Sequence, residues 1–157
     1  MRLSTKGRYG LKAMVDLALE YENGSFVSTA TLARLQDISE AYLERQLTTL
    51  KKAGLIESAR GAFGGSRLAR SPEEITVGQI LKALEGTTSI IDCVDSSGEH
   101  PCKNACSCSA RPLWLKLQRR IDDVLNATTL LDMAEDYSEQ IKFINSKKGD
   151  TDNASLS

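Results

Sequence analysis

The chain has 157 residues and a mass of 17.1 kDa, which is enough for one domain with a small appendage. Hydrophobic residues make up 41% and charged residues 26%, as in an ordinary globular protein rather than a disordered one. The longest stretch without a charged residue covers only 11 residues, 23–33. A membrane-spanning helix needs roughly 20 apolar residues. We therefore expect no membrane contact, no signal peptide and a cytoplasmic location.

The net charge of −1 conceals an uneven distribution along the chain. Residues 1–70 carry 11 basic and 7 acidic side chains, a net charge of +4. Residues 71–157 carry 9 basic and 14 acidic side chains, a net charge of −5. A basic half beside an acidic half favours contact between the first half and a polyanion such as nucleic acid.

The spacing of apolar residues predicts three helices followed by a β-hairpin. The helices are expected at residues 4–22, 28–36 and 40–53, with N-caps at Ser4, at Ser28 or Thr29, and at Ser39. Two short strands, 55–59 and 67–70, flank the glycine-rich turn 60–66. A capping box at Thr76 and Gln79 then predicts a short helix that ends at Gly86.

Three helices and a hairpin in this order are the outline of a winged helix-turn-helix, whose third helix enters the major groove of DNA. On that helix, Arg45 can donate two hydrogen bonds to guanine, and Glu44 can accept one from cytosine. Ser39 and Tyr42 occupy positions where phosphate contacts are common.

The hairpin, which forms the wing of a winged helix-turn-helix, and the N-terminus supply further candidates for DNA contact. The glycines of the turn allow the backbone to approach a phosphate or the minor groove, and basic side chains flank them. These candidates are Gly61, Gly64 and Gly65 with Arg60 and Arg67 in the wing, and Arg2, Lys6 and Arg8 at the N-terminus. Taken singly, each feature favours a solvated face or a plain turn, whereas their order along the chain favours DNA binding.

All four cysteines lie within 16 residues, with the spacing Cys93-x8-Cys102-x3-Cys106-x-Cys108, and the single histidine, His100, lies among them. Clustered cysteines in a cytosolic protein favour metal binding or redox chemistry over structural disulfides. The spacing alone leaves an iron–sulfur cluster, zinc, copper(I), a redox disulfide and incidental thiols as alternatives. Residues 92–109 contain few apolar groups, so we expect a loop that needs a ligand to order it.

A long helix is predicted after Pro112, with a stripe of apolar residues spaced by threes and fours. The stripe consists of Leu113, Trp114, Leu117, Ile121, Val124 and Leu125. A further short helix is expected to begin at Thr128 or Thr129, and a polar, disordered tail to follow from about Lys147.

Several motifs of the chain point to one known family. They are the opening residues 1–10 (MRLSTKGRYG), residues 39–43, the pairs Arg60-Gly61 and Gly64-Gly65, and residues 75–80 (ITVGQI). These motifs resemble the IscR-type regulators, which are the iron–sulfur cluster regulators of the bacterial Rrf2 superfamily. Trp114 resembles a residue near the start of that family's dimerisation helix. The resemblance covers about residues 1–137 and is most specific in the first 85.

The resemblance implies a homodimeric transcription factor that binds a palindromic operator in double-stranded DNA and controls cluster-assembly genes. It implies a mostly α fold with a small β-hairpin, namely a winged helix-turn-helix plus a long dimerisation helix. The expected divisions are a DNA-binding domain at 1–85, a cysteine-rich cluster-binding loop at 86–111, the dimerisation helix and a short C-terminal helix at 112–146, and the tail at 147–157. Cluster-assembly scaffold proteins are further expected partners.

The resemblance also implies a ligand set for the cofactor. Cys93, Cys102 and Cys108 match the family's three cysteine ligands, and a [2Fe–2S] cluster is favoured over [4Fe–4S]. The eight residues between Cys93 and Cys102 exceed the family's usual five. Arg111 stands where [2Fe–2S] members have histidine, and a guanidinium cannot ligate iron. The fourth ligand is therefore His100, Cys106, a carboxylate or a residue of the partner subunit.

Other functions remain as alternatives at this point. A repressor of the same fold that senses nitric oxide, zinc, copper or thiol redox state is one, because nitric-oxide-sensing relatives bind [4Fe–4S] clusters. Relatives that control cysteine metabolism lack the cysteines, which argues against that branch. A small iron–sulfur electron carrier is the alternative of another class. We expect no enzyme, because no nucleophile–base pair is evident and His100 lies among the cysteines.

Overall fold

The computed structural model describes residues 4–91, 94 and 107–153, and side chains as far as residue 146. These residues form six α-helices and one two-stranded hairpin, which confirms the predicted mostly α fold. The elements are α1 (Thr5–Leu19), α2 (Thr29–Gln36), α3 (Glu40–Lys52), β1 (Ile56–Ala59), β2 (Gly65–Leu68), α4 (Val77–Glu85), α5 (Arg111–Ala127) and α6 (Leu130–Asn153). Short 3₁₀ turns lie at Tyr21–Asn23 and Pro72–Glu74.

Side-chain caps fix where the first four helices begin. The hydroxyl oxygens of Ser4, Ser28 and Ser39 each accept a hydrogen bond from the backbone N–H three residues later. At the start of α4, both hydrogen bonds of the Thr76–Gln79 capping box form. These caps confirm the predicted starts. The first helix ends at Leu19, three residues before the predicted end, because a 3₁₀ turn follows it.

A sharp turn joins α2 to α3. Asp37 adopts a left-handed conformation with φ of 53°, and its N–H bonds to the carbonyls of the last turn of α2. The amide of Ile38 donates to the carbonyl of Ala33 at 3.1 Å. The chain therefore reverses within three residues, which gives the helix-turn-helix arrangement.

The hairpin is attached to the helical body by a backbone contact. Strands β1 and β2 pair antiparallel, with Ile56 opposite Leu68 and Ala59 opposite Gly65. Val27 and Ser66 exchange two backbone hydrogen bonds, of 2.9 and 2.8 Å. The prediction that the return strand spans 67–70 is wrong, because this pairing with Val27 draws Gly65 and Ser66 into the strand.

The core lies where α1 meets the other helices. Its members are buried aliphatic side chains from almost every element, including Met14, Leu17, Leu32, Leu43, Leu50, Ile80, Leu84 and Leu130. Helix α6 enters this core through Leu130 and Ala134, and it packs along α1. The C-terminal helix thus stabilises the N-terminal half by burying apolar surface against it.

The C-terminal helix is much longer than predicted. It runs for 24 residues, so the predictions of a short helix and of disorder from Lys147 are wrong as far as Asn153. Thr129 and Asp132 form reciprocal hydrogen bonds of 2.8 and 3.1 Å at its start. Hydrogen bonding of the Asp132 carboxylate to Thr129, first to its backbone and then to its side chain, lowers the pKa of Asp132. A capped, docked first turn removes the nucleation cost. The helix then extends beyond the core, with Ile141, Phe143 and Ile144 exposed. Among the helices described, none combines the length and apolar character needed to cross a membrane.

Candidate nucleic-acid interface

Helix α3 presents one polar face outward. Its inner face buries Leu43, Gln46, Leu47 and Leu50, and its outer face exposes Glu40, Ala41, Glu44, Arg45 and Thr48. Within the described part of the chain, neither Glu44 nor Arg45 joins an ion pair. Both side chains therefore extend into solvent with their hydrogen-bonding groups available to base edges, as the sequence predicts for a recognition helix.

A buried polar pair positions α2 beside α1. The side-chain amide of Gln36 donates to the carboxylate of Asp16 across this contact. Burial raises the pKa of Asp16, and the bond from Gln36 and the nearby charge of Lys12 partly oppose that shift. The contact between α1 and α2 therefore contains a carboxylate that is partly removed from water.

The predicted phosphate contacts lie near the start of α3. The Ser39 hydroxyl accepts from the Tyr42 N–H at 3.2 Å as a cap, which leaves its own proton free to donate. Tyr42 lies edge-on to Tyr9, with ring centroids 6.2 Å apart and planes at 87°. The Lys12 ammonium lies 5.6 Å from the Tyr9 centroid. Tyr9 and Lys12 were not predicted, although their spacing of three on α1 indicates a shared face.

The N-terminal basic residues are only partly described. Lys6 is half-buried and Arg8 is exposed on the first turn of α1, whereas Arg2 lies outside the described residues. The backbone N–H and hydroxyl of Ser4 donate to Glu85 at 3.2 and 2.6 Å, which ties this turn to the end of α4.

The wing glycines serve close packing as well as bending. Gly61 has a φ of 105°, and its carbonyl accepts from the Gly64 N–H at 3.0 Å, which tightens the tip. A Cβ on Gly65 would overlap the carbonyl of Val27. Glycine at position 65 therefore allows the wing to lie directly against the start of α2.

Arg67 makes three contacts within the protein. Its guanidinium lies 4.5 Å from the centroid of the Phe26 ring and 3.5 Å from the Glu57 carboxylate, and it donates to the Gly24 carbonyl at 3.3 Å. Arg67 therefore neutralises Glu57 and fastens the base of the wing. Arg60 is the exposed cation that remains at the wing tip.

The recognition helix and the wing meet in one cleft of about 500 Å³. Helix α2 contributes its first residues to the same cleft. The predicted residues that line it are Glu44, Arg60, Gly61, Gly64 and Gly65, together with Ser28, Thr48 and Lys51. Arg45, Ser39 and Tyr42 lie on α3 or its cap outside this lining.

Only one predicted cluster ligand falls in the described part of the chain. Cys108 is half-buried, and its carbonyl accepts from the N–H of Arg111, the first residue of α5, at 3.3 Å. The other candidate ligands, Cys93, His100, Cys102 and Cys106, lie outside the described residues.

Helix α5 holds the segment that leads to the first cysteine. The buried Gln118 accepts from the Ile90 N–H at 2.8 Å and donates to the Thr88 carbonyl at 3.3 Å. Val94 is also buried and lines a cavity with Leu115 and Gln118. Both flanks of the cysteine segment are thus attached to the first turns of α5.

The opposite side of α5 carries an exposed apolar stripe. Leu113, Leu117 and Val124 are 53%, 41% and 63% exposed, although they follow helical spacing. An apolar stripe of this kind on an otherwise polar helix is typical of a helix–helix interface.

The sequence profile of the Rrf2 family, described as iron-dependent transcriptional regulators, matches residues 3–136. The HTH-type transcriptional regulator CymR of Bacillus subtilis is 40% identical over 134 residues, which are 85% of this chain and 90% of CymR.

Two solved structures share the fold. The structure of CymR, described as the global cysteine regulator of B. subtilis, matches with a TM-score of 0.71 and 37% identity, over 86% of this chain and 97% of that one. An IscR structure from T. potens matches with a TM-score of 0.70 and 38% identity, over 89% and 90% of the two chains. The fold, the cleft and these matches together establish that the chain belongs to the Rrf2 family of transcriptional regulators.

Proposed function

We propose that this chain is a cytoplasmic, homodimeric regulator that senses iron–sulfur cluster status and controls cluster-assembly genes. The observation that best supports this proposal is that both flanks of the cysteine segment, residues 92–109, are attached to α5. The same helix has the exposed apolar stripe. A change of ligand at the cysteines then acts directly on the helix that sets the distance between two DNA-binding halves.

The DNA-binding step uses the outer face of α3 together with the wing across the cleft. Arg45 donates to guanine and Glu44 accepts from cytosine in the major groove, while Arg60 and the wing glycines approach the backbone or the minor groove. Ser39, Tyr42, Lys6 and Arg2 provide phosphate contacts that fix the register. Two copies related by a two-fold axis read a palindrome whose half-sites lie about one helical turn apart.

The donor set at the cysteines fits an iron–sulfur cluster. Cys93, Cys102 and Cys108 supply three thiolates, and half-burial of Cys108 limits solvent access to its sulfur. Arg111 cannot be the fourth ligand, which leaves His100, Cys106, a carboxylate or a partner residue. A [2Fe–2S] cluster held there would supply a group that is lost or oxidised under stress, and scaffold proteins would deliver it.

The DNA assignment is tested with Arg45→Ala on an operator selected by the wild-type chain from a random duplex pool. We expect operator affinity to fall at least about tenfold, with relaxed preference at one guanine, because a bidentate base contact is worth about 1–3 kcal/mol. Arg34→Ala is the matched control, since Arg34 is an exposed arginine in the last turn of α2 and is not part of the outer face of α3. An unchanged affinity for Arg45→Ala would remove the recognition-helix assignment.

The cluster assignment is tested with Cys93→Ala purified without oxygen. We expect the variant to lose iron and acid-labile sulfide together, whereas the wild type shows visible absorption bands and both elements in equal amounts. Ser109→Ala, an exposed neighbour of Cys108, is expected to keep both. Retention of iron and sulfide by Cys93→Ala would show that the ligand set is wrong.

A second candidate is a thiol-redox regulator of the same fold. The likeness to CymR, at 40% identity, favours it as much as the likeness to IscR favours the first. A colourless wild-type protein without sulfide after anaerobic reconstitution, whose operator affinity changes on mild oxidation, would support this second function.

A further inference from the structure

The wing tip carries the most exposed large apolar side chain among the described residues. Phe63 is 95% exposed and lies in the turn between β1 and β2. Burial of a phenyl ring against apolar surface is favourable because it removes apolar area from water. A large aromatic ring held out in water is therefore a candidate for contact with a partner.

The tip that presents Phe63 is held in place. The turn is closed by the hydrogen bond from Gly64 to Gly61, and the strand behind it is fastened to Val27 by two backbone bonds. Arg67 fixes the base through Phe26 and Glu57. The ring thus projects from an anchored hairpin in a defined direction rather than from a free loop.

Continuity and charge identify the partner as DNA. Gly64, which follows Phe63, lines the cleft shared with Glu44 of the recognition helix, as do Arg60 and Gly61. Phe63 itself lines the adjoining cavity, to which Gly64 also contributes. Residues 58–66 contain one basic side chain and no acidic one. A surface of this charge that continues the DNA-binding cleft suits a polyanion better than a second copy of this chain.

We propose that Phe63 inserts into the minor groove of the operator and packs its ring on the deoxyribose edges beside the phosphate that Arg60 contacts. Wing and arm segments that enter this narrow groove use basic residues for the phosphates and apolar residues for the walls. The inference rests on the proposed DNA-binding surface and adds a contact that carries no charge.

An apolar contact and an ionic contact differ in their salt dependence. Operator binding by the full-length chain is measured by fluorescence anisotropy across a salt series, with a selected duplex of about three helical turns. For Phe63→Ala we expect about tenfold weaker binding at every salt concentration, with an unchanged slope of log K against log salt. For Arg60→Ala we expect the slope to fall by about one. Phe63→Tyr, which keeps the ring, is expected to restore the affinity.

Leu35→Ala is the matched control, because Leu35 is a second exposed apolar side chain, 61% exposed, and it lies on α2 beside the wing. We expect its affinity to equal that of the wild type. Dimethyl sulfate footprinting should also show protection of adenine N3 in the minor groove by the wild type, and loss of that protection in Phe63→Ala.

An affinity for Phe63→Ala within about twofold of wild type, with Arg60→Ala and Arg45→Ala both weakened, would overturn the role of Phe63 alone. An unchanged affinity for all three variants would instead overturn the DNA-binding surface itself. Equal losses in Phe63→Ala and Leu35→Ala would identify a protein-docking patch in place of a minor-groove contact.

Discussion

At the scale of single residues, Asp16 has the least favourable environment of the charged side chains whose pKa shifts are resolved. Burial raises its pKa above the ordinary 3.8, so the folded state binds its proton more tightly than the unfolded chain does. The stability linked to this group is full below the unfolded pKa and is lost as the pH rises through the folded value. At neutral pH the ionised carboxylate therefore lowers the free energy of unfolding.

Asp16→Asn should consequently stabilise the protein at pH 7, by up to about 1 kcal/mol. Asparagine keeps an acceptor for the Gln36 amide and adds a donor that can reach Gln36 Oε1, which has no hydrogen-bond partner among the described residues. Urea unfolding of both proteins between pH 3 and pH 8 measures the difference, which should shrink as the pH falls towards 3.8. A variant that is less stable than the wild type at pH 7 would contradict this account.

The outward positions of Glu44 and Arg45 followed from the helical period of α3, because burial of Leu43 and Leu47 fixes the opposite face. The contacts of Arg67 within the wing base, in contrast, could not be predicted from the sequence pattern. Its partners Gly24 and Phe26 are more than 40 positions away in the chain, and only the folded wing brings them together.

At the scale of elements, Gly65 determines whether the wing can pack against the start of α2. Gly65 has a φ of 150°, and the carbonyl of Val27 occupies the place of a Cβ. Sequence periodicity placed the return strand two residues too late, because the pairing of Ser66 with Val27 is not local. Helix starts were predicted well for the opposite reason: each cap is a bond between residues three apart.

Gly65→Ala should detach the wing from α2 and lower the free energy of unfolding by about 1–3 kcal/mol. Gly61→Ala is the comparison variant, since its φ is also positive but no atom lies within 4 Å of the added Cβ. Hydrogen exchange at the Val27 and Ser66 amides, together with thermal unfolding, measures the effect. Equal losses of stability in both variants would show that the contact with Val27 is unimportant.

At the scale of the whole molecule, helix α5 carries two separate structural features. One side holds residues 88–90 through Gln118, and the other exposes the apolar stripe. The sequence pattern predicted the stripe but could not show that α6 would pack on α1, because Leu130 and Ala134 look like any other amphipathic pair.

Leu117→Glu should convert the proposed dimer to monomers and weaken operator binding at least about tenfold, because the stripe would bury a charge without a partner. Lys116→Gln is the control, since it changes the charge by the same amount at an exposed position outside the stripe. Analytical ultracentrifugation gives the oligomeric state. Identical sedimentation of Leu117→Glu and the wild type would exclude this face as the dimer interface.

The connection between α5 and α6 is anchored to the start of α4, which affects where the chain can tolerate insertions during evolution. The Val77 N–H bonds to the Thr128 carbonyl and the Leu130 N–H to the Ile75 carbonyl, at 3.0 and 2.8 Å, so the far end of α5 is secured to the start of α4. The chain between residues 94 and 107 can therefore change in length without disturbing these anchors or the attachment of residues 88–90 to Gln118. Three additional residues between Cys93 and Cys102 raise its closure entropy by only about 0.1 kcal/mol. On the proposed function, insertions and deletions there would change the ligand that is sensed and leave the DNA-binding surface unchanged.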